Sequence, residues 1–159
     1  MADPTREFLR HTLATLAYRG GKAVRDVAPG FDSFRCSDSS RTPAEILAHI
    51  GDLLDWALTM ASGEPKWNSS TPLPWDREVE RFFAALAALD QYLVSDAPLS
   101  NSAEKLFQGP IADALTHVGQ IAMLRRVQGA PMKGESYFKA DIVAGRVGRD
   151  QTKPRREFD

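Results

Sequence analysis

Apolar residues recur every three or four positions along most of the first 130 residues, and this spacing is typical of one face of an α-helix. The first such segment covers about residues 4–27 and opens with Asp3 as a candidate N-cap before Pro4. The second segment has a clearer beginning, because Thr42 as N-cap and Glu45 three residues later form a capping box. It ends at Ser62-Gly63, so two helices are predicted in the first part of the chain.

Two further segments follow the same pattern. The third runs from about Trp75 to Ser95, with apolar residues on one face and charges concentrated near its beginning. The fourth is expected to begin at Gly109-Pro110 and to end at about Gln128, while residues 100–107 add a short turn of helix. No alternating strand pattern of any length occurs in the first 130 residues.

Four helices of this length predict an all-α fold, a four-helix bundle over residues 1–130. The connections on either side of the third helix are longer than an up-down bundle needs, so the sequence leaves the topology open. Residues 131–159 are interpreted as an irregular C-terminal tail of the same domain. Its aromatic part, Tyr137 and Phe138, is expected to dock on the bundle, and its end after Lys153 is expected to fray.

Composition narrows the class of protein. A chain of 159 residues with 43% hydrophobic and 26% charged residues suits one globular domain, and its net charge of -1 gives no electrostatic case for nucleic acid. The N-terminus lacks the basic start and apolar run of a signal peptide, and no segment has membrane-spanning length. Cys36, the single cysteine, cannot form an internal disulfide. We therefore expect a cytoplasmic protein with neither a membrane nor a nucleic-acid partner.

The fourth predicted helix carries a carboxylate and an imidazole four residues apart, Asp113 and His117, which places both on one helix face. His49 lies near the middle of the second helix, so two neighbouring helices could bring three metal ligands together. Two imidazoles and one carboxylate suit divalent ions such as zinc, nickel and iron. Gln120 and Asp52, each about one turn further along, are candidate partners that orient the two imidazoles.

Each candidate also has a plainer interpretation. Asp113 lies near a helix N-terminus, where the helix dipole favours a carboxylate without any metal. His49 or His117 alone is more often a packed histidine than a ligand. Asp52 and Asp55 are interpreted as solvated charges, and His11 as a surface histidine. Arg125 and Arg126 are interpreted as cations at a helix end. The three tryptophans are interpreted as core or pocket residues: Trp56, Trp67 and Trp75.

The order of these motifs resembles the DinB-like (DinB/YfiT-like) metalloenzyme superfamily. The second helix reads Pro-x-Glu-x-Leu-x-His49-Ile and the fourth reads His117-x-Gly-Gln-Ile, and the resemblance covers about residues 4–130. It implies a bundle in which one histidine of the second helix and two of the fourth bind nickel, zinc or a similar ion. His49 and His117 match two of these positions, and Asp113 occupies the third. A carboxylate there favours harder metals such as iron or manganese, or else marks a site that has weakened or been lost.

The resemblance also implies chemistry with low-molecular-weight thiols and pairing into homodimers. The leading hypothesis is a metal-dependent enzyme, a thiol-dependent transferase or a hydrolase, acting on a small-molecule substrate. His49, Asp113 and His117 would hold a divalent ion (nickel, zinc, iron or manganese), and the aromatic part of the tail is a candidate cover for the site. The alternative is a non-catalytic helical bundle that binds a metal or small ligand, or that acts as a homodimeric interaction module.

Overall fold

The computed structural model describes residues 3–158, so Met1, Ala2 and Asp159 lie outside the described residues. The protein is an all-α four-helix bundle with an irregular C-terminal tail, as predicted. Its fourth helical segment is a continuous run of three pieces. The segments are α1 (Pro4–Val24), α2 (Pro43–Ser62), α3 (Trp75–Val94), and the run of α4 (Ala103–Leu106), a π-helical turn (Phe107–Ile111) and α5 (Ala112–Gln128). No helix among the described residues has both the length and the apolar character needed to cross a membrane.

Local signals set the beginnings of α1 and α2, and both predictions are confirmed. The Asp3 carboxylate accepts a hydrogen bond from the Thr5 N–H at 2.9 Å. Thr42 and Glu45 form the capping box, because each side chain accepts a hydrogen bond from the other residue's N–H, at 2.8 and 3.2 Å. Gly63 ends α2 in the left-handed conformation with φ 101°.

The predicted beginning of the fourth helix at Gly109-Pro110 is wrong. Helix already begins at Ala103, where the Ser102 hydroxyl accepts a hydrogen bond from the Lys105 N–H at 3.3 Å. Proline lacks an N–H and normally stops a helix, but Pro110 lies inside the π-helical turn Phe107–Ile111. In that turn the Ala112 N–H bonds to the Phe107 carbonyl five residues back, so the helix continues past the proline.

The helices pack in a square, with α1 and α2 at opposite corners and each of them in contact with α3 and α5. The connection 63–74 returns along the bundle, so Arg81 near the beginning of α3 bonds to Asp52 in the middle of α2. The Trp75 indole N–H, at the beginning of α3, donates to the Val24 carbonyl at the end of α1 at 3.3 Å. It follows that α1 and α5 run in one direction and α2 and α3 in the other, which settles the topology that the sequence left open.

The inner faces of the four segments form one apolar core. Each fully buried Leu, Ile or Phe side chain contributes about 1.5–3 kcal/mol relative to an exposed one. Side chains with at most 1% exposure come from every long helix: Leu13 and Leu16, Leu47, Ile50 and Leu54, Phe82 and Leu86, and Ile111 and Ile121.

Two arginines join helix ends that are distant in sequence. Arg125 of α5 is only 7% exposed, and its guanidinium donates to four carbonyls at the end of α1. Arg6 of α1 donates in the same way to the last carbonyls of α3. The position of Arg125 near the end of its own helix therefore does not explain the burial of its side chain, because the guanidinium caps another helix. The carbonyls that Arg125 caps belong to Lys22, Ala23, Arg25 and Asp26.

The tail is anchored on α1. Its two short strands, β1 (Gly134–Glu135) and β2 (Glu157–Phe158), pair antiparallel. The Lys22 ammonium bonds to both Glu135, at 2.6 Å, and Glu157, at 2.8 Å. The expectation that the end of the chain frays is therefore wrong for the residues up to 158, because the strand pairing and the Lys22 contacts hold them.

Candidate metal centre

Three side chains from two helices converge on one point. His49 comes from α2, while Asp113 and His117 lie one turn apart on α5. The Nε2 atom of His49 lies 3.7 Å from Oδ2 of Asp113, and Nε2 of His117 lies 3.4 Å from Oδ1. All three groups offer a ligand atom within 4.8 Å of the other two. The structure thus brings together the three residues that the sequence singled out, and we call them the open cluster.

Gln120 orients His117, as its position one turn further along α5 predicts. Its Oε1 lies 2.8 Å from Nδ1 of His117. Because a carbonyl oxygen only accepts hydrogen bonds, the contact places a proton on Nδ1. In the neutral imidazole, Nε2 then carries the lone pair, and Nε2 is the atom that faces Asp113.

Asp52 neither orients His49 nor lies in solvent, so both sequence interpretations of it are wrong. Its carboxylate is 4% exposed and accepts hydrogen bonds from Arg81 at 2.5 Å and from the Ser70 N–H and hydroxyl at 2.9 and 2.6 Å. Arg81 also lies 3.6 Å from the fully buried Glu78 carboxylate and 3.1 Å from the half-exposed carboxylate of Asp55. We call Asp52, Glu78 and Arg81 the closed cluster.

Burial of Asp52 by itself would raise its pKa, but the hydrogen bonds from Ser70 and Arg81 outweigh that effect, so the pKa lies below the usual value of 3.8. These partners come from α3 and from the connection 63–74, and no local spacing in α2 indicates them.

An aromatic side chain that the sequence left open as a core or pocket residue packs on the open cluster. Trp67, from the connection 63–74, contacts the His49 ring edge-on at a centroid distance of 5.6 Å and Trp56 at 5.7 Å. The rings of His49 and His117 lie 4.7 Å apart. Trp67 follows no helical periodicity, so only the tertiary fold reveals its place. Trp75, in contrast, packs on Phe31 at 5.8 Å in the core.

His49 is held in its neutral form. Burial lowers its pKa most, the neighbouring His117 and Arg41 lower it further, and Asp113 and Asp52 act in the opposite direction with a smaller effect. The net pKa lies below the usual 6.5. A neutral imidazole offers the lone pair that a metal ion requires, so at neutral pH this side chain is in the form that binds metal.

The open cluster is reached from solvent on several sides. A groove of about 720 Å3 between the α1–α2 connection and α5 includes His117, and we call it the α5 groove. A cavity of about 300 Å3 includes His49, and another of about 370 Å3 includes Asp113. The Asp113 side chain is 47% exposed, which leaves one side of the cluster open to a small molecule.

Gly119 lies in the wall of the α5 groove, two residues after His117. A glycine inside a helix costs about 1 kcal/mol relative to alanine. Its φ is not positive, and a Cβ built on it would meet no atom within 4 Å, so neither backbone conformation nor packing requires a glycine here. Its effect on the structure is to leave the groove wider.

The tail does not cover the open cluster. Tyr137 packs edge-on against Tyr18 of α1 at 6.1 Å, and Phe138 is 99% exposed. The three cavities beside the cluster are lined by residues no further along the chain than Leu124. The candidate cover is therefore wrong, because the contacts of Glu135 with Tyr18 and Lys22 hold the tail on α1.

Comparison of the chain with models of known protein families, with curated proteins and with solved structures finds no match. The resemblance to the DinB-like superfamily therefore stays a prediction.

Proposed function

We propose that the open cluster holds a divalent metal ion and that the chain is a metal-dependent enzyme of the DinB-like superfamily acting on a small molecule. The observation that carries the proposal is the convergence of His49, Asp113 and His117, whose ligand atoms lie within 4.8 Å of one another. Ligands about 2.1 Å from a common ion are roughly 3–4 Å apart, and the separations of 3.4 and 3.7 Å agree with this spacing.

The chemistry of the donors supports the same proposal. In the neutral tautomer that Gln120 selects, the His117 lone pair points toward the negative Asp113 carboxylate 3.4 Å away. Two electron-rich atoms in that arrangement repel each other, and a cation between them converts the repulsion into attraction. Asp113 stands where the family pattern has a third histidine, so iron or manganese should be favoured more than at a three-histidine site.

A metal ion held at this site would lower the pKa of a bound thiol or water and so would supply a nucleophile near neutral pH. The chain's own residues would orient the reacting groups: His49 offers a neutral imidazole, and the contact of Gln120 with Nδ1 of His117 directs Nε2 of that ring toward Asp113. Trp67 shields one side of His49, while the half-exposed Asp113 leaves another side open for substrate. The proposed reaction is transfer of a low-molecular-weight thiol to a small electrophile, with hydrolysis as the variant in which water replaces the thiol.

Metal analysis of purified protein tests the proposal, after separate reconstitution with nickel, zinc, iron and manganese. Wild type should retain about one ion per chain, as a three-ligand site requires. His49→Ala and His117→Ala should each lose it. His11→Ala is the matched control and should retain it, because His11 is the third histidine and is exposed on α1. Only trace metal in wild type under every condition would refute the proposal. Where metal is retained, a panel of thiols and electrophiles then tests for transfer.

The second candidate is a non-catalytic bundle, and one observation favours it. The distances of 3.4 and 3.7 Å also suit direct polar contacts between the two imidazoles and Asp113, which need no metal. In that case the reconstituted wild type and His117→Ala would carry the same trace of metal. Homodimer formation and a cytoplasmic location are predictions from the resemblance and the sequence, and the first is tested by sedimentation of the purified protein.

A further inference from the structure

The α5 groove has the size and lining of a small-molecule site. Its volume of about 720 Å3 falls within the range of ligand pockets, roughly 300–1,000 Å3. Ile46, Met123 and Leu124 give it an apolar wall, and His117 of the open cluster is part of its lining. An apolar occupant of this groove would therefore lie beside the open cluster.

Gly119 adds an observation that is independent of the metal ligands. A side chain at this position would project into open space rather than into the protein. Because nothing in the fold requires a glycine here, its lack of a side chain leaves room for an occupant of the groove.

Arg41 provides a charge at the rim. It lines both the α5 groove and the cavity beside His49. Arg41 is exposed, and none of the ion pairs and side-chain hydrogen bonds among the residues that the structure describes involves its guanidinium. An exposed and unpaired guanidinium is suited to bind an oxyanion through two parallel hydrogen bonds.

We propose that the α5 groove binds a small amphipathic oxyanion. Its apolar body lies along Gly119, Met123 and Leu124, and its carboxylate or phosphate pairs with Arg41. This inference rests on the proposed function only for the chemistry at His117, because occupation of the groove itself needs no metal. The substrate class that follows is a molecule with an apolar body and one anionic group.

Methionine methyl NMR on the full chain tests the proposal. The Met123 methyl lies in the groove, whereas Met60 lies outside it and serves as an internal reference. The probes are octanoate, octyl phosphate and the uncharged 1-octanol, each below its micelle concentration. We expect saturable shifts of Met123 alone, with at least about tenfold weaker binding of octanol, since one charge-assisted contact is lost. The tighter of the two anions identifies the oxyanion that the site prefers.

Variants test separately how the charge of Arg41 and the shape of the groove contribute to binding of the anion. Arg41→Gln should weaken binding of the preferred anion by about tenfold or more, and Arg41→Lys should restore part of it. Arg77→Gln is the control, because Arg77 is an exposed arginine on α3 that does not line the groove. Gly119→Leu should abolish binding while the melting temperature stays equal or rises, because leucine is a better helix former than glycine.

Octanol binding as tightly as the anions would overturn the proposal, as would unchanged binding in Gly119→Leu. The outcome is separable from that of the proposed function. Metal retention without any Met123 shift refutes the groove assignment alone, and a saturable shift in a protein that retains no metal refutes the metalloenzyme alone.

Discussion

Two polar clusters flank α2, and they differ in whether an arginine of the fold supplies positive charge to their carboxylates. In the closed cluster, on the α3 side, Asp52 and Glu78 are buried to 5% and 0% exposure, and Arg81 supplies the positive charge for both. In the open cluster, on the α5 side, two imidazoles face one carboxylate without a fixed cation between them. In the closed cluster the counter-charge comes from Arg81, whereas no arginine or lysine among the described residues forms an ion pair with the carboxylate of the open cluster.

The contrast explains why two residues three positions apart on one helix have unrelated roles. Asp52 faces α3, and its neutralisation holds two helices and the connection 63–74 together. His49 faces α5, and its partners leave a lone pair available. Removing one partner of a buried ion pair is costly because a buried charge is left unpaired, whereas removing a histidine of the open cluster leaves only the half-exposed Asp113 carboxylate. We therefore expect substitutions in the closed cluster to change stability and substitutions in the open cluster to change ligand binding.

The largest effect is expected in the closed cluster. Arg81→Met leaves two buried carboxylates without a counter-charge and should lower the free energy of unfolding by about 3–5 kcal/mol. Urea denaturation measures the loss. Arg77→Met, an exposed arginine on the same helix, is the control and should change stability by less than about 0.5 kcal/mol. A loss below about 1 kcal/mol for Arg81→Met would mean that the closed cluster is not a stability element.

In the open cluster, the effect of a substitution on the free energy of unfolding should depend on whether metal is present. Without metal, His117→Ala should unfold within about 1 kcal/mol of wild type, because the ring lines an open groove and its removal leaves only the half-exposed Asp113 carboxylate without that contact. With free metal at about 100 times its Kd, wild type should gain about 2.7 kcal/mol and the variant nothing. Thermal and urea unfolding with and without metal check this. An equal gain in both proteins would place the metal elsewhere.

Acid should weaken the closed cluster. The pKa of Asp52 is lower in the folded protein than its usual 3.8, so its contribution is complete above that value and is lost as the pH falls through the lowered pKa. Asp52→Asn should therefore cost about 1.5–3 kcal/mol at neutral pH, and the cost should shrink as the pH falls below 3.8. Urea midpoints of both proteins across this pH range provide the measurement. A difference that stays constant into strong acid would contradict the assignment.

The smallest effect concerns metal preference. Asp113→His restores three histidines and should shift the ratio of zinc or nickel to manganese affinity by roughly tenfold toward the softer metals. Competition titrations with a chromogenic chelator measure that ratio, and Asp113→Asn separates the loss of the carboxylate from the gain of the imidazole. An unchanged ratio in Asp113→His would show that Asp113 does not contact the ion.

Most of the correct predictions from the sequence depend on residues that are close together along the chain. The caps at Asp3 and Thr42 depend on residues within three positions, so helix beginnings were predicted correctly there. Asp113 and His117 share a helix face by spacing alone, whereas the approach of His49 to them depends on the packing of α2 against α5. The contact between Gln120 and His117 is equally local.

What the sequence could not predict depends on partners distant along the chain. The roles of Asp52 and Trp67 arise from the way the connection 63–74 returns along the bundle, and no periodicity encodes that path. The π-helical turn around Pro110 was missed because the residue that stops an α-helix is tolerated when the hydrogen bonds shift by one position.

Arg125 has a consequence for how the protein is made. The carbonyls at the end of α1 and just after it, from Lys22 to Asp26, are capped by a side chain about one hundred residues later, so α1 is synthesised well before the group that caps it. Until Arg125 emerges from the ribosome, only water can bond to these carbonyls, and we expect the end of α1 to fray in the nascent chain. Emergence of the segment around Arg125 is therefore the step at which the end of α1 can acquire its final hydrogen bonds.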